Sequence, residues 1–369
     1  MNSTSSSLKK VVIVAEGTHS NSSTARNLNK LIAELDAVAK VSYVFSFCRS
    51  SDIVGVNTER LLTISSCCGG IKKFFANQIK LPIKLSSKSV RDNCDIILFS
   101  FGEDLQILSI ILYKIYGKKI FIRSDGRPSV HIKYYRPNSF FLRAVYCFIE
   151  SISYRLSDQV LTECDSMIKE YHFPSNTAVL KLYVDTNKYC IKKPILQRKH
   201  DIGYVGRFEC EKGVLNFLDS ISLLPSTINI IMVGDGSLRS DVELRVQSLR
   251  SLGYDIELVN WVSNGRLPDY LNEIKILVMP SNKEGLPNTL LEAMACGTAV
   301  IATDVGGIPG ILSKSNGLII GSNAPSVIAD AILSLLDGVQ LKSMSRNANK
   351  YIVEHFAFPA VLEEVKRII

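Results

Sequence analysis

The run 275-KILVMPSNKEGLPNTLLEAMACGTAVIATDVGG-307 sets the architecture of this chain. KILVMPS is a short apolar run of the kind buried in a parallel sheet, and SNKEGLPN is the polar loop at its carboxyl end. From Asn288 or Thr289 the apolar positions recur at helical spacing through TLLEAMACG, where Gly297 ends the helix, and AVIATDVGG is the next strand. Ligands of open parallel sheets sit beyond the carboxyl ends of the strands, so the loop from Ser281 to Asn288 is where a site is expected. Two carboxylates flank it: Glu284 before the Gly-Leu-Pro bend and Glu292 one turn inside the helix, with seven residues between them. The N–H groups and positive dipole end of that helix form a seat for a diphosphate, and Gly285 lets the chain approach a ligand without a side chain in the way. The carboxylates then suit hydroxyl groups on whatever the phosphates carry. A purely structural alternative is just as specific: Thr289 and Glu292 fit a T-x-x-E capping box, in which Glu292 does no more than stabilise the helix start.

The same alternation runs outward. DIGYVGRF, INIIMVGDG, IELVNWV and GLIIGS read as strands, with helices at GVLNFLDSISLL and SDVELRVQSLRSLG. In the first half KKVVIVAEG (9–17), VSYVFSF (41–47), DIILFSF (95–101), KKIFIRSDG (118–126) and QVLTEC (159–164) are strands, with helices at STARNLNKLIAEL and LQILSIILYKIYG. Short buried strands alternating with helices make an α/β chain whose parallel sheets are covered on both faces. The pattern lapses at 185–201, DTNKYCIKKPILQRKHD, a charged stretch with a proline that reads as a linker. The expected domains are residues 1–190 and 191–345. A C-terminal helical segment, 346–369, is expected to pack back toward the first domain, with Pro359 kinking or dividing its helix.

At 369 residues and 46% hydrophobic, the chain exceeds one ordinary core and suits two domains of a soluble globular enzyme. Its nine cysteines show no C-x-x-C pair and no histidines placed to complete a zinc site. That argues against a disulfide framework or a structural metal and for reduced cytosolic thiols, and the adjacent Cys67 and Cys68 read as a loop of small residues. The start, MNSTSSSLKK, lacks the apolar core of a secretory signal, and the apolar segment 105–117 is shorter than the ~20 residues that cross a bilayer. The net charge of +8 is uneven. Residues 1–195 carry 27 Lys+Arg against 16 Asp+Glu, and the rest 16 against 19. The surplus suits an anionic partner for the first half, either a phospholipid surface or a phosphate-bearing acceptor. Nucleic acid is not an expected partner, because the cations are scattered and no nucleic-acid-binding motif accompanies them.

YVGRFECEKG, residues 204–213, is a second strand end that bears chemistry. Arg207 and Lys212 lie in one loop after the strand stops at Gly206, and Gly213 opens a helix. A guanidinium fork and an ammonium point charge at that spacing can clamp both phosphates of a diphosphate; they can equally be surface cations beside Glu209 and Glu211. IIMVGDGSLRSD carries Gly234 and Gly236 but has Arg239 where a third glycine would complete G-x-G-x-x-G. It therefore signals only that the backbone approaches something closely.

In this order and at these separations, GRFECEKG, VGDGSLR and the paired glutamates of EGLPNTLLEAMACGTAVIATDVGGIPGIL resemble the donor half of the retaining glycosyltransferases of family four, glycosyl transferases group 1. The resemblance is strong over about 200–320 and continues through SISYRLSDQVLTECDSMIKEY and LYVDTNKY. It implies the GT-B fold: two facing Rossmann-like doubly wound domains with an interdomain cleft, the first binding the acceptor and the second the nucleotide sugar. By that resemblance Arg207 and Lys212 hold the donor diphosphate, Glu292 the ribose hydroxyls and Glu284 the hydroxyls of the transferred sugar. The backbone of Gly285, Leu286, Pro287 and Asn288 helps hold sugar and phosphate, and Trp261 and Val262 border the base. Gly17 matches a glycine loop facing the donor phosphates, where family members often have two glycines and this chain has Glu16-Gly17. Asp125 is placed near the reacting carbon; many relatives have histidine-aspartate at this strand end, whereas here Ser124 precedes Asp125.

The implied reaction is a retaining transfer of sugar from a nucleotide-diphosphate donor to a glycan or lipid-linked acceptor in cell-surface polysaccharide biosynthesis. The protein is then cytoplasmic and peripheral on the cytoplasmic membrane face. No cofactor and no metal are expected, because no D-x-D occurs in the chain and Arg207, Lys212 and the helix start take the place of the cation. A nucleotide-sugar epimerase of the same fold and a non-catalytic nucleotide-sugar-binding protein are the alternatives. A nicotinamide-dependent oxidoreductase is disfavoured, since neither half opens on an intact glycine fingerprint.

Overall fold

The computed structural model describes residues 8–15, 23–46, 61–63, 70–100, 105–124, 126–127, 129–130, 139–336, 338 and 340–369. Seven strands form the sheet of the first half: β1 (Lys10–Ala15), β2 (Lys40–Ser46), β3 (Leu61–Thr63), β4 (Ile96–Ser100), β5 (Lys119–Arg123), β6 (Gln159–Thr162) and β7 (Thr177–Val179). They pair in the order β3-β2-β1-β4-β5-β6-β7, all parallel. The helices of this half are α1 (Ser23–Asp36), α2 (Gly70–Leu85), α3 (Lys88–Asp92), α4 (Ile107–Ile115), α5 (Phe140–Leu156) and α6 (Asp165–Glu170). All of β4 and Val11 to Ala15 of β1 are buried, as β-branched runs covered on both faces must be. Strands β3 and β7 escape a sequence reading because three residues at a sheet edge are too few to show a period.

The second sheet holds β8 (His200–Val205), β9 (Asn229–Val233), β10 (Asp255–Val259), β11 (Ile274–Met279), β12 (Ala299–Thr303) and β13 (Leu318–Ile320). Their order is β10-β9-β8-β11-β12-β13, again all parallel. Its helices are α7 (Val214–Ile221), α8 (Arg239–Ser251), α9 (Leu267–Leu271), α10 (Asn288–Ala295), α11 (Pro325–Leu336) and α12 (Leu341–Phe356), followed by α13 (Phe358–Ile368). The strand order reverses direction between β8 and β11, the place in an open sheet where loops splay apart and leave room for a ligand.

The chain divides into two compact units, residues 1–182 with 361–369, and 183–360. The break precedes the 190/191 boundary read from the sequence, and 346–360 lies with the second unit. The stretch 185–201 is not a linker but a packed part of the second unit. Arg198 is buried, and its guanidinium donates to Ile274 O and Thr298 Oγ1, both at 2.9 Å, and to Cys296 O at 2.6 Å. Part of the charge works inside the fold, Arg198 on the carbonyls of Ile274 and Cys296 and Lys193 on Glu273 at 2.7 Å, while Lys192 and Lys199 are exposed. The C-terminal helix does divide, at Ala357 rather than at Pro359. Ala357 is extended (φ −65, ψ 151) and bridges Val184, while Pro359 sits in the first turn of α13, where its missing N–H leaves no bond unmade.

Candidate functional site

The carboxyl ends of β8 and β11 are neighbours, and their loops are fastened together. After β8 the chain makes a 3-10 turn, Cys210–Lys212, and enters α7 through Gly213 in the left-handed region (φ 66). A Cβ on Gly213 would lie 2.0 Å from Pro280 O, so only glycine lets this loop rest on the end of β11. Asn282 then joins the two loops, its N–H donating to Glu211 O at 2.8 Å and its side-chain amide to Cys210 O at 3.1 Å. These contacts bring Lys212 Nζ within 2.7 Å of Glu284 Oε2.

Glu284 is 7% exposed and is held from several sides. Its Oε1 accepts from Ser281 Oγ at 2.7 Å, and Thr303 Oγ1 fixes Ser281 by donating to its carbonyl at 2.6 Å. Gly307 N donates to Gly285 O at 2.7 Å. Gly306, at φ 57, lies so close beneath that a Cβ would be 2.2 Å from Glu284 O. The loop is thus positioned before any ligand arrives, a prerequisite for electrostatic work.

Helix α10 begins at Asn288 with Pro287 as its N-cap residue and no side-chain cap. Thr289 is therefore inside the helix and cannot be the hydroxyl of a capping box. Glu292 is 1% exposed, one turn inside α10.

Arg207 behaves differently from Lys212. Its Nη2 pairs with Glu211 Oε1 at 2.5 Å, an exposed i,i+4 contact, so of the two cations it is Lys212 that reaches the buried carboxylate. Gly234 and Gly236 do allow a close approach, and it is to this chain's own backbone: their Cβ atoms would meet Gly206 O at 1.9 Å and Phe208 O at 2.5 Å. Arg239 closes that loop by donating to Gly234 O at 3.2 Å. Glu209 ties the two loops by accepting from Ser237 Oγ at 2.6 Å and Ser237 N at 3.0 Å, and these bonds hold its carboxyl below the usual range. Val262 and Leu286 pack on one apolar cluster with Met279 and Leu290, while Trp261 is half exposed.

Gly17, Asp125, Cys67 and Cys68 lie outside the described residues. Ser124, beside Asp125, donates from Oγ to Gly126 O at 2.9 Å. Among the described residues no group of three or more His, Cys, Asp or Glu is placed to hold a metal ion. The sequence reading missed Ser281, Asn282, Thr303 and Gly306, which position the site. The signals available were the Gly-Gly pair after β12 and the hydroxyl and amide residues at two neighbouring strand ends.

Residues 199–338 match the family of glycosyl transferases group 1. That group 1 region contains both fastened loops and α10. The Methanocaldococcus jannaschii protein named uncharacterized glycosyltransferase MJ1178 is 30% identical over 182 residues, 48% of this chain and 51% of that one. An Escherichia coli UDP-Gal:alpha-D-GlcNAc-diphosphoundecaprenol alpha-1,3-galactosyltransferase is 25% identical over 247 residues, 61% of this chain and 63% of that one. The matched segments span from 31% to 63% of the length of the first curated relatives. Across nearly the whole chain the fold is that of Anabaena HepE, crystallised with UDP: TM-score 0.76 at 14% identity, covering 97% of this chain and 99% of that one. The α/β architecture is the GT-B fold that the resemblance implied.

Proposed function

We propose that this protein is a retaining, metal-independent glycosyltransferase that moves a sugar from a nucleoside-diphosphate donor to a glycan or lipid-linked acceptor in cell-surface polysaccharide assembly. The observation that carries the reading is the 2.7 Å contact of Lys212 with Glu284, a cation and a buried carboxylate at adjoining strand ends beside the start of α10. Breaking the bond between sugar and diphosphate leaves positive charge on the anomeric carbon and negative charge on the departing phosphate. Lys212, Arg207 and the N–H groups at the start of α10 neutralise the second of these. Glu284 accepts hydrogen bonds from the hydroxyls of the transferred sugar, Glu292 from those of the ribose, and Val262 borders the base. By the family resemblance Gly17 is assigned to the donor phosphates and Asp125 to the reacting carbon. The departing phosphate oxygen takes the acceptor's proton on the face it leaves, so configuration is retained and no bound cation takes part. Relatives named for transfer to diphosphoundecaprenol-linked sugar and for capsular polysaccharide biosynthesis support a lipid-linked or glycan acceptor.

The test is turnover of Lys212→Ala and Glu284→Ala at saturating donor, with and without a chelator. Each variant is expected to lose about 10²–10³ in rate, the usual cost of removing one preorganised group, and chelation is expected to change nothing. Near wild-type transfer by both variants overturns the assignment.

A further inference from the structure

The first unit has a face that the donor chemistry leaves unused. Helix α4 lies between α2 and α5, and is joined to α2 by Gln78 Nε2 donating to Leu105 O at 2.7 Å and Tyr113 OH donating to Leu85 O at 3.1 Å. The inward positions, such as Leu81, Ile110 and Tyr154, belong to the core under the sheet. The outward positions of a solvated helix should be polar. Here they are Ile79 and Ile83 on α2, Ile111 and Ile115 on α4, and Phe141 and Phe148 on α5, with Ile115 75% and Phe141 81% exposed. An i,i+4 or i,i+7 spacing on each helix lines them up as stripes on three adjacent helices.

The exposed charges that these three helices carry have one sign. Helices α2, α4 and α5 contain seven Lys and Arg and a single carboxylate, Glu150. Glu150 is fully buried, accepting from Ser129 Oγ at 2.7 Å and pairing with Arg127 at 3.1 Å. Lys80, Lys84 and Arg143 are exposed among the apolar stripes, while Lys114 pairs with Asp158 at 2.7 Å.

We propose that the outer face of α2, α4 and α5 docks on an anionic phospholipid bilayer, the isoleucines and phenylalanines entering the boundary of headgroups and acyl chains while Lys80, Lys84 and Arg143 meet lipid phosphates. The proposal rests on, and extends, the reading of the acceptor as lipid-linked, since it keeps the enzyme where that acceptor is. A second copy of the chain is the poorer occupant, because a two-fold contact sets the same cations against themselves. Long basic side chains bury their stems along apolar surface and keep their charge at the phosphate level, which suits this mixture.

The test is flotation of the full-length protein, without nucleotide, on vesicles of phosphatidylcholine alone and of phosphatidylcholine with phosphatidylglycerol. The protein is expected to float with the anionic vesicles, less so as salt rises. The double variant Phe141→Ser/Phe148→Ser is expected to bind about tenfold more weakly and Lys84→Gln about fivefold. Both should keep the wild-type circular dichroism and the wild-type thermal shift with nucleoside diphosphate. No preference for anionic vesicles overturns the proposal, as do variants that float like the wild type, or a dimer in light scattering that the phenylalanine variant dissolves. Transfer to a soluble acceptor without vesicle binding would sink this proposal and spare the function; vesicle binding without any sugar transfer would do the reverse.

Discussion

Lys212 and Arg207 share one loop and have opposite energetics. Arg207 pairs with Glu211 in solvent, its side chain 56% exposed, and such a pair is worth about 0–1 kcal/mol, so it yields readily to a phosphate. Lys212 is bound to a carboxylate from which water is largely excluded. Lys212→Ala leaves that carboxylate with Ser281 and without its cation, and urea titration should show a loss of about 1–3 kcal/mol. Glu211→Gln has the opposite sense for ligand: it releases Arg207 from a competing anion, and nucleoside-diphosphate affinity in calorimetry should rise. A fall would mean that Arg207 does not bind the donor. His200, at the start of β8, supplies a pH dependence. Burial, then neighbouring Lys199, pushes its imidazole below the ordinary value, with Glu257 acting in the opposite sense. The unfolded chain therefore binds more protons near its own value of about 6.5, so this contribution is complete above that pH and is lost as pH falls through it. Urea midpoints at about pH 7.5 and about pH 5.5 should differ more for wild type than for His200→Gln.

At the scale of elements, the site is two loops and a helix start, and glycine geometry holds them. Gly213→Ala and Gly253→Ala both place a side chain at positive φ, 66 and 96. A Cβ at Gly253 meets nothing within 4 Å, whereas one at Gly213 meets Pro280 O at 2.0 Å. Each should lose about 1–2 kcal/mol from backbone strain, but only Gly213→Ala should also raise KM for the donor, because it lifts the loop carrying Lys212 from β11. Equal kinetics for the two variants would show that the fastening of the loops is irrelevant to binding. The strands and helices here were legible because β8, β11, β12 and α10 are long enough to show their period. That Glu284, Arg207 and Lys212 follow strand ends and Glu292 lies in the first turns of a helix was legible for the same reason. Their pairing was not, since which cation reaches Glu284 depends on how Asn282 and Gly213 seat one loop on the other. The capping box was a local match that failed because Pro287, not Thr289, occupies the N-cap. The supposed linker misled for a related reason: Arg198 looks like a surface charge until Cys296 and Thr298, a hundred positions away in the chain, supply its partners.

At the scale of the molecule, the two parallel sheets belong to units of different charge. The residues proposed to bind the donor that the structure describes all lie in the second unit, and the cationic surplus lies in the first, where α2, α4 and α5 concentrate it. Ligand bound to the native state alone stabilises it by mass action, about 2.7 kcal/mol at a hundredfold excess over Kd. Hydrogen exchange with saturating nucleoside diphosphate should therefore slow most in 204–213 and 281–292, with little change in α2, α4 and α5. Protection confined to the first unit would place the donor elsewhere.

Lys212 is the cation proposed to meet the donor's diphosphate. Calorimetric titration of a nucleoside diphosphate into the wild type and into Lys212→Ala tests this without any acceptor. The account predicts at least about tenfold weaker binding by the variant, the loss of one charge-assisted contact, and undiminished affinity in a folded Lys212→Ala protein would contradict it.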